Sequence, residues 1–210
     1  HHVEVRLSWL NSEEISMDNA EGQLQGYDGI IAPGGYGDRG AEGIVAAASY
    51  ARAHHIPFFA IGYGMQLSVV AAVRDLLDIK DANSTEVDPL TAHPVVRIPE
   101  ERVTVNDSRR AARMGRQEIE LSDGIVKAIY GKDVIAERHG NRYEVDTSVV
   151  APLAEKGFVF SGVSVEDHFP EVFEMKDHPF YVGTIYHPEF ISRPNKPHPL
   201  FVAFLRAALQ

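Results

Sequence analysis

The run PFFAIGYGMQLSVV at residues 57–70 places the tightest limit on what this chain can become. Apolar Phe58 to Ile61, a Gly-x-Gly corner and a second apolar run describe a strand buried on both faces, a tight turn and a helix. α/β enzymes use this order of elements to present a nucleophile, and the middle of the corner then holds Cys or Ser. Here it holds Gly62, and the chain contains no cysteine at all. Disulfides, thiolate metal sites and cysteine-based attack are therefore excluded.

The neighbouring sequence extends the alternation. VEVRLSWL (3–10) predicts a strand, and YDGIIAPGG (27–35) a second that is apolar on both faces and closes in a Gly-rich turn. AEGIVAAASYARAHH (41–55) predicts a helix, IPFFAIG (56–62) a third strand and MQLSVVAAVRDLL (65–77) a second helix. Apolar strands separated by amphipathic helices pair in parallel with both sheet faces covered. After residue 90 the runs shorten: QEIEL, KGFVFSGVSV and FYVGTIY suit antiparallel or edge strands, and PLFVAFLRAAL predicts a closing helix. The expectation is an α/β fold with a mostly parallel central sheet flanked by helices, plus additional antiparallel strands.

With 210 residues, 44% of them hydrophobic, the chain can build one sizeable core, so residues 1–210 are expected to form a single domain. No apolar run approaches the roughly 20 residues that span a bilayer, and the first residues lack the pattern of a signal peptide. A net charge of −10 repels phosphate backbones and anionic lipid. Nucleic acid and membrane are thus poor partners, and a cytoplasmic setting is expected. The arginines at 102, 109, 110, 113 and 116 are read as part of a solvated loop leading into a strand rather than as an anion site.

Ligands in such sheets bind beyond the carboxyl ends of the strands. Three turns qualify. PGGYGDRG (33–40) carries glycines that let backbone N–H groups face an anion or a developing oxyanion. GYGMQ (62–66) is the corner already described. HPEF (187–190) puts His187 and Glu189 two apart on extended backbone, hence on one side, which suits a base and its orienting carboxylate. His-Pro alone says little, since it recurs at His93, His178 and His198. No metal is assigned, because His139, His187 and Glu189 match no ligand spacing of known type.

Taken together, PGGYGDRG, GYGMQ, ANSTE, ERHGNRYE and HPEFISRP, in this order, resemble the class I glutamine amidotransferase domain of CTP synthase, from LSWLNSEEI to the last helix. The resemblance implies a flavodoxin-like core and hydrolysis of glutamine by a Cys-His-Glu triad that hands ammonia to a synthetase domain. It places Gly34, Gly35 and Tyr36 in an oxyanion loop, His187 and Glu189 in the triad, and Gly62 at the nucleophile position. Tyr63, Gln66, Glu86, Arg138, His139 and Asn141 fall among the groups around the ligand. No cofactor is implied. The partners implied are a small-molecule ligand and either a separate synthetase-type protein or a second copy of the chain.

The departures carry as much information. Where the family reads Gly-Ile-Cys-Leu-Gly-Met-Gln, this chain reads Ala60-Ile61-Gly62-Tyr63-Gly64-Met65-Gln66. Gly140 replaces an arginine that the resemblance assigns to the substrate carboxylate, and Ile185 replaces a glutamine. The family's first strand and helix, expected ahead of VEVRLSWL, are not in this sequence, nor is a synthetase domain. Three readings stay open. One is a pseudo-enzyme that binds a ligand or partner. Another is a repurposed enzyme in which His187, oriented by Glu189, activates water or a substrate group. The third is a glutaminase whose cysteine has been substituted. On each of them the chain as given is expected to lack ordinary glutaminase activity, and the ligand expected for a non-glutaminase is an amide-bearing or nucleobase-like metabolite.

Overall fold

The computed structural model describes residues 3–103 and 112–210. The first half contains α1 (Ala20–Leu24), β1 (Ile30–Ala32), α2 (Ala41–Ala53), β2 (Phe58–Ile61), α3 (Tyr63–Leu76), β3 (Ala82–Ser84), β4 (His93–Arg97) and α4 (Glu100–Val103). The second contains β5 (Arg113–Leu121), α5 (Ile125–Tyr130), β6 (Val134–Asn141), β7 (Glu144–Val145), α6 (Val150–Glu155), β8 (Phe158–Ser164), β9 (Pro170–Met175), β10 (Tyr181–Thr184) and α7 (Pro199–Ala207). Short 3₁₀ turns cover Ser12–Glu14, Thr147–Val149 and Pro188–Phe190.

The result is an α/β fold on a mixed seven-stranded sheet, ordered β1-β2-β10-β9-β8-β5-β6, beside a small sheet of β3, β4 and β7. β2 runs parallel to both β1 and β10. β10–β9, β9–β8, β8–β5 and β5–β6 are all antiparallel. The sheet is therefore not mostly parallel: the short alternating strands of the second half join one side of the parallel core and outnumber it. FYVGTIY is likewise no edge. Its strand β10 is buried along its whole length and sits between β2 and β9.

β2 shows why the fold holds. Successive side chains of a strand point to opposite faces. Phe58 and Ala60 join a core made with Val45, Met65 and Val69 of α2 and α3, whereas Phe59 and Ile61 join a second core made with Leu200 and Phe204 of α7. One apolar tetrapeptide thus fastens a helix layer to each face. Residues 3–10 depart from expectation, because they form no strand and leave Leu7 76% and Trp9 90% exposed. A strand exists only as a rung of a ladder, and no described residue pairs with this one.

Candidate functional site

The strand-to-helix corner is built by β2, β10 and α3. Gly62 caps α3 at φ 54°, ψ −113°, a region that costs other residues about 1–3 kcal/mol. Its N–H donates to the Thr184 carbonyl at 2.7 Å, tying the corner to β10. The next glycine is needed for a different reason: a Cβ on Gly64 would collide with the Ala32 carbonyl, so only glycine lets α3 start this close to β1.

His187 follows β10 and reaches the same corner. Its N–H donates to the Arg138 carbonyl of β6 at 2.9 Å, and its ring stacks on Phe190 with centroids 4.8 Å apart. Nδ1 lies 2.7 Å from Glu189 Oε1. That contact places the proton on Nδ1 and leaves Nε2 as the acceptor, turned toward Gly62. A Cβ on Gly62 would fall 3.0 Å from Nε2 and 2.9 Å from Cε1, and a Cβ on Gly34 would fall 2.9 Å from Cε1. The imidazole therefore occupies the ground above both glycines.

The Gly-rich turn after β1 is pinned at one peptide. The Gly37 N–H donates to Glu86 Oε1 at 2.9 Å, while the Tyr63 hydroxyl donates to the Gly37 carbonyl. Burial, then the carboxylates of Glu86 and Asp38, push the Tyr63 hydroxyl far above its ordinary range, so it acts as a donor. Burial also raises Glu86, against the Gly37 N–H and the positive charge of Arg142. Tyr63 packs under Gly35, and Tyr36 turns its ring into solvent at 87% exposure.

The remaining residues expected at the ligand divide. Gln66 Nε2 and Asn141 Nδ2 both donate to the Tyr143 carbonyl, at 2.9 and 3.1 Å, and brace the end of β6. Arg138 is exposed and contributes its carbonyl to His187. His139 must be corrected: its side chain is fully buried, with Nε2 2.6 Å from Glu171 Oε2 and Nδ1 3.2 Å from the Glu137 carbonyl. Along β6 it points into the interior, because alternate residues do. Arg142 was not singled out, and its charge is felt at Glu86 and Tyr143; it was visible in ERHGNRYE as the second arginine, next to Asn141.

The arginine-rich segment also departs from expectation. Arg113 is buried and bonds Glu144 at 2.8 Å as well as Glu171, while Arg102 bonds Glu144 at 2.8 Å. Only Arg116 matches the solvated reading, and Arg109 and Arg110 lie outside the described residues. Although burial opposes its charge, Glu144 and Glu171 hold Arg113 above its ordinary value.

A strand-corner-helix floor, a pinned Gly-rich loop and a His–Glu pair facing the corner define a family, and comparison with known proteins agrees. The chain belongs to the Glutamine amidotransferase class-I family, whose profile matches residues 1–207. Within it the chain is similar to CTP synthases: 43% identical over 209 residues to that of Pelotomaculum thermopropionicum and 41% over 210 to that of Bacillus subtilis. Each match covers 99% of this chain and 39% of the relative, so the chain spans about two fifths of the length of these proteins. The solved glutaminase domain of Trypanosoma brucei CTPS with bound acivicin superposes with a TM-score of 0.91 at 34% identity, covering 99% of this chain and 81% of that one. A GMP synthase-type protein of Thermoplasma acidophilum, at TM-score 0.59 and 16% identity, shares the fold. Among the described residues no helix is long and apolar enough to cross a membrane.

Proposed function

We propose that this is a noncanonical class I amidotransferase-like protein in which Gly62 stands at the position of the family's nucleophilic cysteine. On this reading His187 and Glu189 act on a small amide-bearing or nucleobase-like metabolite, not on glutamine. The observation that carries the reading is the His187 ring, its Nδ1 bonded to Glu189 and its Nε2 turned to the Gly62 corner without a partner among the described residues. With the thiol gone, Nε2 takes a proton from water, the resulting hydroxide attacks the amide carbon, and the loop of Gly34 and Gly35 faces the oxyanion. The imidazolium, stabilised by Glu189, then returns the proton to the departing nitrogen, giving an acid and an amine.

Gly140 supports a ligand other than a free α-amino acid. The resemblance implies an arginine for the substrate carboxylate at this position, and a Cβ on Gly140 would meet nothing within 4 Å. The chain would work alongside a separate synthetase-type protein or as a homo-oligomer. A second reading, a ligand-binding module without turnover, is favoured by one observation: Tyr63 and Glu86 both engage Gly37 and close the loop over the cleft.

A thermal-shift screen over amides, amino acids and nucleosides, followed by a search for product, tests both. A ligand at 100 times its Kd should stabilise the fold by about 2.7 kcal/mol. Steady release of ammonia from glutamine would overturn the proposal.

A further inference from the structure

A second cavity lies away from the Gly62 corner, along the free side of β6. Its volume is about 520 Å³, and Glu137, Ile135, Ile191, Arg116, Lys132 and Lys196 are among its walls. Glu137 is only 3% exposed, yet it is a carboxylate in a groove with an apolar wall. The hydrogen bonds around it can be given directions. The Leu200 N–H donates to His198 Nδ1 at 3.3 Å, which fixes the proton on Nε2. That Nε2–H is shared between Glu137 Oε1 and the Tyr130 oxygen, each at 3.1 Å. The Tyr130 hydroxyl in turn donates to Oε1 at 2.9 Å and accepts from Tyr186 at 3.1 Å. The donors that reach the Glu137 carboxylate thus all go to Oε1. Glu137 Oε2 is buried and has no partner.

A buried carboxylate oxygen demands a donor, and a charged donor serves it best. Among the described residues none is supplied. At the mouth the balance is reversed: Arg116, Lys132 and Lys196 stand there against one exposed carboxylate, Glu118, which already faces Arg116 at 3.9 Å. Ile135 and Ile191 lie in the same walls and offer an apolar surface for a short spacer. A nucleic acid or an acidic surface would satisfy the lysines and leave Oε2 empty. A simple amine would satisfy Oε2 and ignore the lysines.

We propose that this cavity is a binding site for a compact zwitterion of the amino-acid class, its ammonium on Glu137 once that side chain turns the buried Oε2 toward the cavity, and its anionic group at Lys132 and Lys196. None of its wall residues is among those named at the Gly62 corner.

The test is isothermal titration of the whole chain with γ-aminobutyrate, with methylammonium and butyrate titrated separately as half-ligands. The zwitterion should bind saturably and at least about tenfold more tightly than either half, since joining the halves makes the second contact intramolecular. Glu137→Gln should weaken it at least about tenfold, a difference of one charge-assisted hydrogen bond. Because that variant alters a buried cluster, Lys132→Glu with Lys196→Glu provides a surface counterpart, which should weaken binding and reduce its salt dependence. No saturable binding of the zwitterion overturns the proposal, as does binding that both variants leave unchanged. It falls equally if a crystal soaked with γ-aminobutyrate shows only ordered water at Oε2.

Discussion

The molecule contains the same pair of side chains in two settings. His187 and Glu189 meet at 2.7 Å with side chains 16% and 39% exposed, whereas His139 and Glu171 meet at 2.6 Å with both fully buried. Distance does not separate them. The difference lies in the second nitrogen and the second oxygen: His139 Nδ1 sits against the Glu137 carbonyl and Glu171 also binds Arg113, while His187 Nε2 looks onto Gly62. A pair whose every atom is engaged holds structure together. One with a free nitrogen above a cleft can move a proton.

The largest test of this contrast is to break the buried pair. Glu171→Ala removes a countercharge of Arg113 and the hydrogen-bond partner of His139 Nε2, and removing one partner of a buried pair costs about 3–5 kcal/mol. Urea unfolding should show that loss; a change under about 1 kcal/mol would mean that the buried cluster is not what organises β5, β6 and β9.

His187→Ala should behave in the opposite way. Its side chain is partly exposed and its neighbours can be solvated, so stability should move by about 0.5 kcal/mol or less. Turnover of a substrate found by the screen should fall about 10²–10⁴-fold. Equal turnover in the variant would remove His187 from the chemistry and favour the binding-module reading.

Glu189→Gln should give a smaller loss of rate than His187→Ala. The amide can still accept from Nδ1 but no longer stabilises the imidazolium. A loss as large as that of His187→Ala would point to a lost ring orientation rather than a lost charge.

The smallest effect concerns Glu86. Burial raises its folded pKa above the ordinary 4.5, so the fold favours the neutral acid. The contribution is present below the unfolded value, is lost as pH rises through the raised value, and at neutral pH the ionised group is a cost. Glu86→Gln should therefore raise Tm near pH 7, by no more than the 2–4 °C that about 1 kcal/mol gives in a chain of this size. The gain should vanish in acid. A gain that persists below pH 4 would trace to packing and not to charge.

Much of the fold was legible because its signals are local. β2, α2, α3 and α7 each carry their apolar pattern within one run of sequence, and the corner announced itself by two glycines. What escaped depends on partners distant in the chain. Residues 3–10 have a strand's alternation but no rung opposite. Arg113 reads as a solvated cation until Glu144 and Glu171, 31 and 58 residues further on, are folded against it. His139 belonged to a motif that pointed to the ligand, and only the alternation of β6 turns it inward. Of the candidate site, the pairing of His187 with Glu189 was foreseeable from spacing and the placing of Gly34 and Gly62 was implied by the family resemblance, while the engagement of Tyr63 and Glu86 with one peptide was not.

That peptide has a kinetic meaning. Gly37 is held at both its N–H and its carbonyl, so lifting the loop at this peptide means breaking both bonds. A ligand that required the loop to be lifted would bind only the lifted fraction, and its apparent Kd would rise by the inverse of that fraction. If one molecule in about a hundred is open, affinity is about a hundredfold weaker than the cleft's intrinsic value, and association is slow while dissociation is governed by the same gate. The Gly37 amide proton, exchanging with solvent only when the loop lifts, would serve as the clock for that opening.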